Sequence, residues 1–238
     1  MEVIINELKK SFGNLKVIDN LSLKFNSNKI HCIFGPSGCG KSTLINVMTG
    51  IISADYGTIE GLEQKKFSYV FQEERLLPWA TVEENILFVL ESYYKKERAK
   101  KLSDKYISLV DLSEFKTHYP DQLSGGMKQR VCIARAFAFD GDILVMDEPF
   151  KGLHLDLKKK LMNYIINYLK ENNKTVFFIT HDIDEALYLA DSIHIFKGPP
   201  LNLKKSIKIN IPSLRSKNKK EEMESLKNEI LNVSGIKY

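Results

Sequence analysis

The stretch Gly35-Pro36-Ser37-Gly38-Cys39-Gly40-Lys41-Ser42-Thr43 constrains this chain most, because it demands a strand, a tight loop and a helix in that order. It matches G-x-x-x-x-G-K-[ST]. Ahead of it, Ile30-His31-Cys32-Ile33-Phe34 is a compact apolar run suited to a buried parallel strand. Behind it, a helix from Lys41 is expected to close at Gly50, a residue suited to the left-handed position past a helix end. The glycines let backbone N–H groups turn inward around phosphate oxygens, and the helix N-terminus adds partial positive charge. Lys41 is placed to reach the β- and γ-phosphates, and the Ser42 hydroxyl to ligate Mg²⁺. Cys39 reads as a small filler of the loop, against a competing account as a reactive thiol.

A second apolar run, Ile143-Leu144-Val145-Met146, ends in Asp147-Glu148-Pro149. Two carboxylates at the end of a buried strand suit a phosphate site if the two strands are sheet neighbours. Asp147 is placed to hold Mg²⁺ through water, and Glu148 to polarise an attacking water. The bland account is an acidic turn before a proline.

Elsewhere, short strands are expected at Val3 to Asn6, Leu21 to Phe25, Phe67 to Phe71, Thr175 to Thr180 and Ile193 to Phe196. Helices are expected at Gly125 to Ala138, along the stripe Leu157, Leu161, Ile165, Tyr168 and Leu169, and at Ile183 to Ala190. Thr81-Val82-Glu83-Glu84 forms a capping box that opens a helical stretch reaching about Pro120, with no strand candidate inside it. Alternating strands and helices imply an α/β fold with a mostly parallel sheet covered on both faces, into which this helical piece is inserted. Beyond Gly198-Pro199-Pro200 the chain turns polar and lysine-rich, with a short strand near Ile207 to Ile211 and a helix near Glu221 to Leu231.

At 238 residues, the length fits one domain with a subdomain, and the net charge of +5 is mild. The densest basic run, Lys158-Lys159-Lys160, reads as a solvated helix face, so no nucleic-acid partner is expected. No apolar run approaches the ~18 residues that cross a bilayer. Met1 to Asn6 lacks the pattern of a signal peptide. Cys32, Cys39 and Cys132 have no metal-type spacing and read as reduced cytosolic thiols. Any membrane association must then come through a partner.

Between the phosphate loop and the acidic strand lies Leu123-Ser124-Gly125-Gly126-Met127-Lys128-Gln129-Arg130. With all three in this order, residues 1–197 resemble the ATPase subunits of ABC transporters. The resemblance implies a P-loop NTPase core with a mostly parallel sheet, a small antiparallel β subdomain and an inserted helical subdomain. It places an ATPase domain at 1–200, the helical part at about 81–122, and a short C-terminal extension at 201–238. It also implies a head-to-tail dimer, expected to be a homodimer, with two ATP molecules sandwiched between subunits. Each ATP would meet the phosphate loop of one subunit and Ser124, Gly125, Gly126 and Gln129 of the other. Physics agrees: a hydroxyl and glycine N–H groups at a helix start form a second anion site, which a single protomer does not need.

Further positions match one at a time. Gln72 falls on the glutamine that contacts Mg²⁺ and water and faces the transmembrane partner. His181 falls on the histidine that touches the γ-phosphate. Phe12 falls on the aromatic that stacks on adenine, where a core aromatic is the competing account. Leu76-Leu77-Pro78-Trp79-Ala80-Thr81-Val82-Glu83-Glu84-Asn85-Ile86 is similar to the importer group for nitrate, sulfonates, taurine and thiamine-pyrimidine precursors. Trp79, the sole tryptophan, then falls where a membrane subunit docks; core packing is the alternative. The tail 209–215 resembles that group's short C-terminus.

The implied assembly is an importer on the cytoplasmic face of the membrane, with permease subunits and, indirectly, an extracytoplasmic solute-binding protein. Chromosome-type relatives insert long coiled coils, and ribosome-acting ones carry two cassettes per chain; neither fits a sequence with a short helical insert and no repeat. Two departures stand out. His154, in Phe150-Lys151-Gly152-Leu153-His154, replaces an interface aspartate, and an imidazole cannot be an anionic acceptor. That implies slowed or pH-sensitive hydrolysis and leaves open a regulatory, weakly hydrolysing module. The antiparallel subdomain also looks clipped between Tyr56 and Phe71.

Overall fold

A computed structural model describes residues 2–209 and 220–236. The chain forms two compact units, one from Met1–Lys65 with Leu169–Tyr238 and one from Lys66–Tyr168.

The first unit begins with long antiparallel strands β1 (Glu2–Phe12) and β2 (Leu15–Asn26). Val3, Ile5 and Leu8 of β1 and Leu21, Leu23 and Phe25 of β2 turn to the core. The sequence suggested two shorter strands because strict alternation breaks near Glu7 and Asn20. Both residues carry positive φ, 48° and 59°, where the register between the strands shifts. Such bulges let a strand continue while its side-chain pattern skips. After β3 (Ile30–Phe34) and α1 (Lys41–Met48), β4 (Tyr56–Glu60) adds to the outer side of β1. A turn follows β4 directly, so the antiparallel sheet stops at three strands, as the clipped sequence implied.

β3 is buried along its whole length and lies between two parallel neighbours, β7 (Thr175–Thr180) and β8 (Ser192–Lys197). β9 (Asn202–Lys208) then folds back antiparallel on β8. The expected C-terminal strand thus starts five residues earlier, and its proposed end at 210–211 lies outside the described residues. α6 (Ile183–Leu189) links β7 to β8, and the last helix, α7 (Lys220–Ser234), packs on β8 and β9. Gly50 takes φ 74° after α1, as its helix-closing role requires.

In the second unit β5 (Phe67–Val70) and β6 (Ile143–Asp147) pair in parallel, with Tyr69 opposite Val145. Helices α2 (Val82–Leu90) and α3 (Lys96–Leu109) pack on each other and on α4 (Gly125–Phe139). The capping box at Thr81 is formed on both sides: Thr81 Oγ1 accepts from Glu84 N, and Glu84 accepts from Thr81 N. Residues 81–122 hold helices and 3-10 turns but no strand. The long helix α5 (Leu155–Asn172) buries Leu161 and Ile165 of its apolar stripe.

Candidate functional site

In the first unit the loop after β3 makes its turn through Gly38 (φ 77°) and Gly40 (φ 108°). At Gly40 a Cβ would stand 2.9 Å from Val17 Cγ1, so both conformation and space exclude a side chain there. Gly40 is the N-cap of α1, which carries no capping side chain and no acidic residue in its first turn. Its leading N–H groups and its dipole are left to an anion. Lys41 is buried and donates from Nζ to the carbonyls of Gly35 (2.9 Å) and Pro36 (2.8 Å). The ammonium is therefore held over the loop by its own backbone. Pro36, Ser42 and Thr43 are half-buried, while Ser37 and Gly38 face solvent. Cys39 is fully buried, and that burial pushes its thiol up, which favours the filler over the reactive thiol.

Phe12 sits opposite Leu15 across the hairpin that joins β1 and β2. Both are about half exposed, 49% and 54%, so the core account of Phe12 does not hold. Lys10 Nζ lies 5.4 Å from the Phe12 ring centre while bonding Asp55 at 2.8 Å. The result is a firm apolar platform of the kind a flat base stacks on. Leu15 was not legible as part of it, since only the hairpin register brings it there.

His181 is exposed at the end of β7. Beneath it Thr180 Oγ1 donates to the buried Glu185 Oε2 at 2.6 Å and accepts from Asp182 N at 3.0 Å. Asp182 in turn caps α6, accepting from the N–H groups of Asp184 and Glu185. These bonds set the bend that presents the imidazole. Glu185 has no motif signal, and only its burial reveals the role.

In the second unit Asp147 ends β6 and is buried, 4% exposed. Glu148 follows with φ 47°, a left-handed conformation that costs a non-glycine residue about 1–2 kcal/mol. Lys151 Nζ lies 4.0 Å from Glu148 Oε2. The Tyr69 phenol is pushed up by burial first and by the Asp147 charge second, placing that anion close to β5. Gln72 is exposed just past β5. Its approach is held by a stack in which Phe71 lies on Tyr69 at 3.9 Å and the Arg75 guanidinium lies 4.0 Å over Phe71.

Ser124 is the N-cap of α4, its Oγ accepting from Met127 N at 3.3 Å. Gly125 is exposed, and a Cβ on Gly126 would stand 3.1 Å from the Gly152 carbonyl. A cavity of about 390 Å³ opens here, lined by Ser124, Gly126, Arg130, Gly152 and His154 among others. Arg130 donates to the carbonyls of Val110 and Asp111, just past the end of α3. Gln129 is placed differently from its neighbours: it is buried and donates to Pro149 O at 3.1 Å, tying α4 to the segment after Glu148. His154 is 84% exposed, 3.8 Å from Asp156. Trp79 is 75% exposed, which removes the core account for it as well.

In the first unit a phosphate cradle with a buried lysine fits a polyphosphate, and the Ser42 hydroxyl suits a hard cation; in the second, the Asp147 carboxylate suits one as well. Among the described residues no group of three or more His, Cys, Asp or Glu forms a metal cage. Mg²⁺ needs none, because it keeps waters and substrate phosphates as ligands.

The ABC transporter family model matches residues 18–151, from β2 through both acidic residues. The chain belongs to the ABC transporter family. Over 97% of its length it is 37% identical to an aliphatic sulfonates import ATP-binding protein of Bacillus cereus, covering 95% of that protein. It is 39% identical to an uncharacterized ABC transporter ATP-binding protein of Methanocaldococcus jannaschii, over 96% of this chain and 90% of the other. Among solved structures, a dimeric post-hydrolysis ATP-binding cassette bound to ADP and Pi superposes with a TM-score of 0.79 at 28% identity. That match covers 87% of this chain and 99% of the cassette. The fold is therefore the P-loop ABC ATPase fold, and the chain is an ABC ATP-binding subunit with ATPase activity.

Proposed function

We propose that this ABC ATPase drives import of a small anionic or polar solute, of the sulfonate, nitrate, taurine or pyrimidine-precursor kind, as a head-to-tail homodimer under permease subunits. The observation that carries the dimer is the pair of helix starts, α1 and α4. Each opens with glycine or serine chemistry and has no acidic residue in its first turn. One chain thus carries two anion cradles, and a shared ATP uses one from each subunit. The solute class rests on the sulfonate-import relative and on the Leu76 to Ile86 segment. A peripheral place on the cytoplasmic face follows from permease partners, and no helix among the described residues is long and apolar enough to cross a membrane. Residues 1–200 serve as the ATPase domain, about 81–122 as its helical part, and 201–238 as an extension.

In this reading the loop N–H groups of Gly35 to Thr43 orient the phosphates, and Lys41 turns from its two carbonyls toward the β- and γ-oxygens. Phe12 stacks on adenine. Ser42 and Gln72 would hold Mg²⁺, Asp147 through water, and the bound cation would neutralise phosphate charge. Glu148 holds and polarises the attacking water, and His181 steadies the γ-phosphate. Ser124, Gly125 and Gly126 close on the partner's ATP, with Gln129 buttressing their helix.

Replacing Glu148 by Gln should stop hydrolysis by at least about a hundredfold while leaving binding intact, so ATP accumulates in a locked dimer. Light scattering with Mg·ATP checks it; a variant that stays monomeric removes the sandwich. A regulatory, weakly hydrolysing module is the second reading, favoured by His154 alone.

A further inference from the structure

Asn85 lies in the first turns of α2 with no exposed surface at all. A helix interior is a poor place for asparagine, and a buried amide is costly unless its bonds are met. Here they are met by one short segment. Asn85 Oδ1 accepts from Leu77 N at 2.8 Å, and Nδ2 faces the carbonyls of Leu77 (3.2 Å), Ala80 (3.0 Å) and Thr81 (3.0 Å). Ala80 N also reaches Leu77 O at 3.2 Å, so residues 77–81 close around the amide as a ring. Trp79 sits in that ring and, among the described residues, is the most exposed of the large hydrophobic side chains, at 75%.

An apolar residue at 85 would bury as well as asparagine but could not specify this loop, because only an amide offers both an acceptor and two donors. Holding a backbone rigid gains an isolated chain nothing when the side chain it carries points into water. It does gain something in binding, since an anchor that is already ordered loses less freedom when it docks. We infer that Asn85 is a positioning residue, which pre-sets the Trp79 loop for a membrane permease subunit. The permease as partner rests on the proposed importer reading; the clamp rests on the geometry alone.

The chain provides its own probe, because Trp79 is its one tryptophan. In the full-length protein, the Leu77 amide should exchange slowly with solvent in wild type and about tenfold or more faster in Asn85→Ala. Trp79 fluorescence anisotropy should fall in the same variant, and Asn85→Asp, which keeps only the acceptor, should lie between. ATPase of the isolated chain and its ATP-driven dimerisation should stay at wild-type values. In proteoliposomes with the permease subunits, the permease-stimulated part of hydrolysis should fall about tenfold. A Leu77 amide that exchanges at its intrinsic rate in wild type overturns the clamp, even if Asn85→Ala does not fold. Unchanged Trp79 anisotropy in either variant does the same. Full stimulation despite a loosened loop overturns the role toward the permease. A wild-type chain that never responds to permease instead overturns the importer reading beneath it.

Discussion

His31 and His194 meet in the core of the first unit, Nδ1 of one 3.1 Å from Nε2 of the other, both under 6% exposed. Their protons follow from the outer partners. The Asn26 carbonyl accepts from His31 Nε2–H at 2.7 Å, which leaves His31 Nδ1 to accept from His194 Nε2–H. His194 Nδ1 then accepts from the Ser206 hydroxyl at 2.9 Å. This chain of bonds holds with both rings neutral. Burial lowers both pKa values, that of His194 to about 3. Near His31, Asp191 opposes the shift and Lys29 adds to it. With the folded pKa below the unfolded ~6.5, the unfolded chain binds more protons between about 3 and 6.5, so stability is full above that window and falls as pH drops through it. Unfolding free energies from urea titrations should decline from pH 7.5 to 5 with a limiting slope of about 1.4 kcal/mol per pH unit for His194. A flat profile in wild type, or an equal slope in His194→Gln, would contradict this. The sequence offered no hint of the pair, since His31 reads only as one residue of an apolar run and its partner lies 163 positions away.

Elements whose start is written in local chemistry were legible: α1 from its phosphate loop, α2 from the Thr81 capping box, α4 from the Ser124-Gly125-Gly126 start. Caps and glycine turns act over three or four residues, so a short window contains their cause. β1 and β2 were cut short because bulges at Glu7 and Asn20 hide the alternation over which strands are recognised. The last helix, α7, was expected from pattern, but its attachment was not. Ile230 is fully buried, Lys227 pairs with Asp184 at 2.5 Å and Lys205 with Glu229 at 2.6 Å. The hydrogen bond to Asp184 also holds the Lys227 ammonium above its ordinary range. Ile230→Ala should therefore cost about 2–5 kcal/mol of stability by chemical denaturation. A loss well under 1 kcal/mol would mean that the helix is a passenger.

At the scale of the whole molecule, His154 bears on how fast the proposed dimer turns over. His154 lines the same cavity as Ser124 and Gly126, where the resemblance expects an acid, and it already faces Asp156 at 3.8 Å. His154→Asp should raise steady-state ATPase about tenfold, roughly 1.4 kcal/mol of barrier, with the ATP-driven dimer unchanged by light scattering. An unchanged rate would clear His154 of any brake and remove the ground for the regulatory reading. By itself the sequence determined the family and most of the elements, though not β4, because caps, glycine turns and apolar runs are encoded in contiguous residues with short-range causes. Tertiary structure alone decided what faces water and what is tied down: Phe12 and Trp79 outward, Gln129 buried on Pro149, Asn85 closing the loop beneath Trp79, and the two histidines joined. Burial and hydrogen bonding between distant segments are properties of the packed chain, and no window of sequence holds both partners.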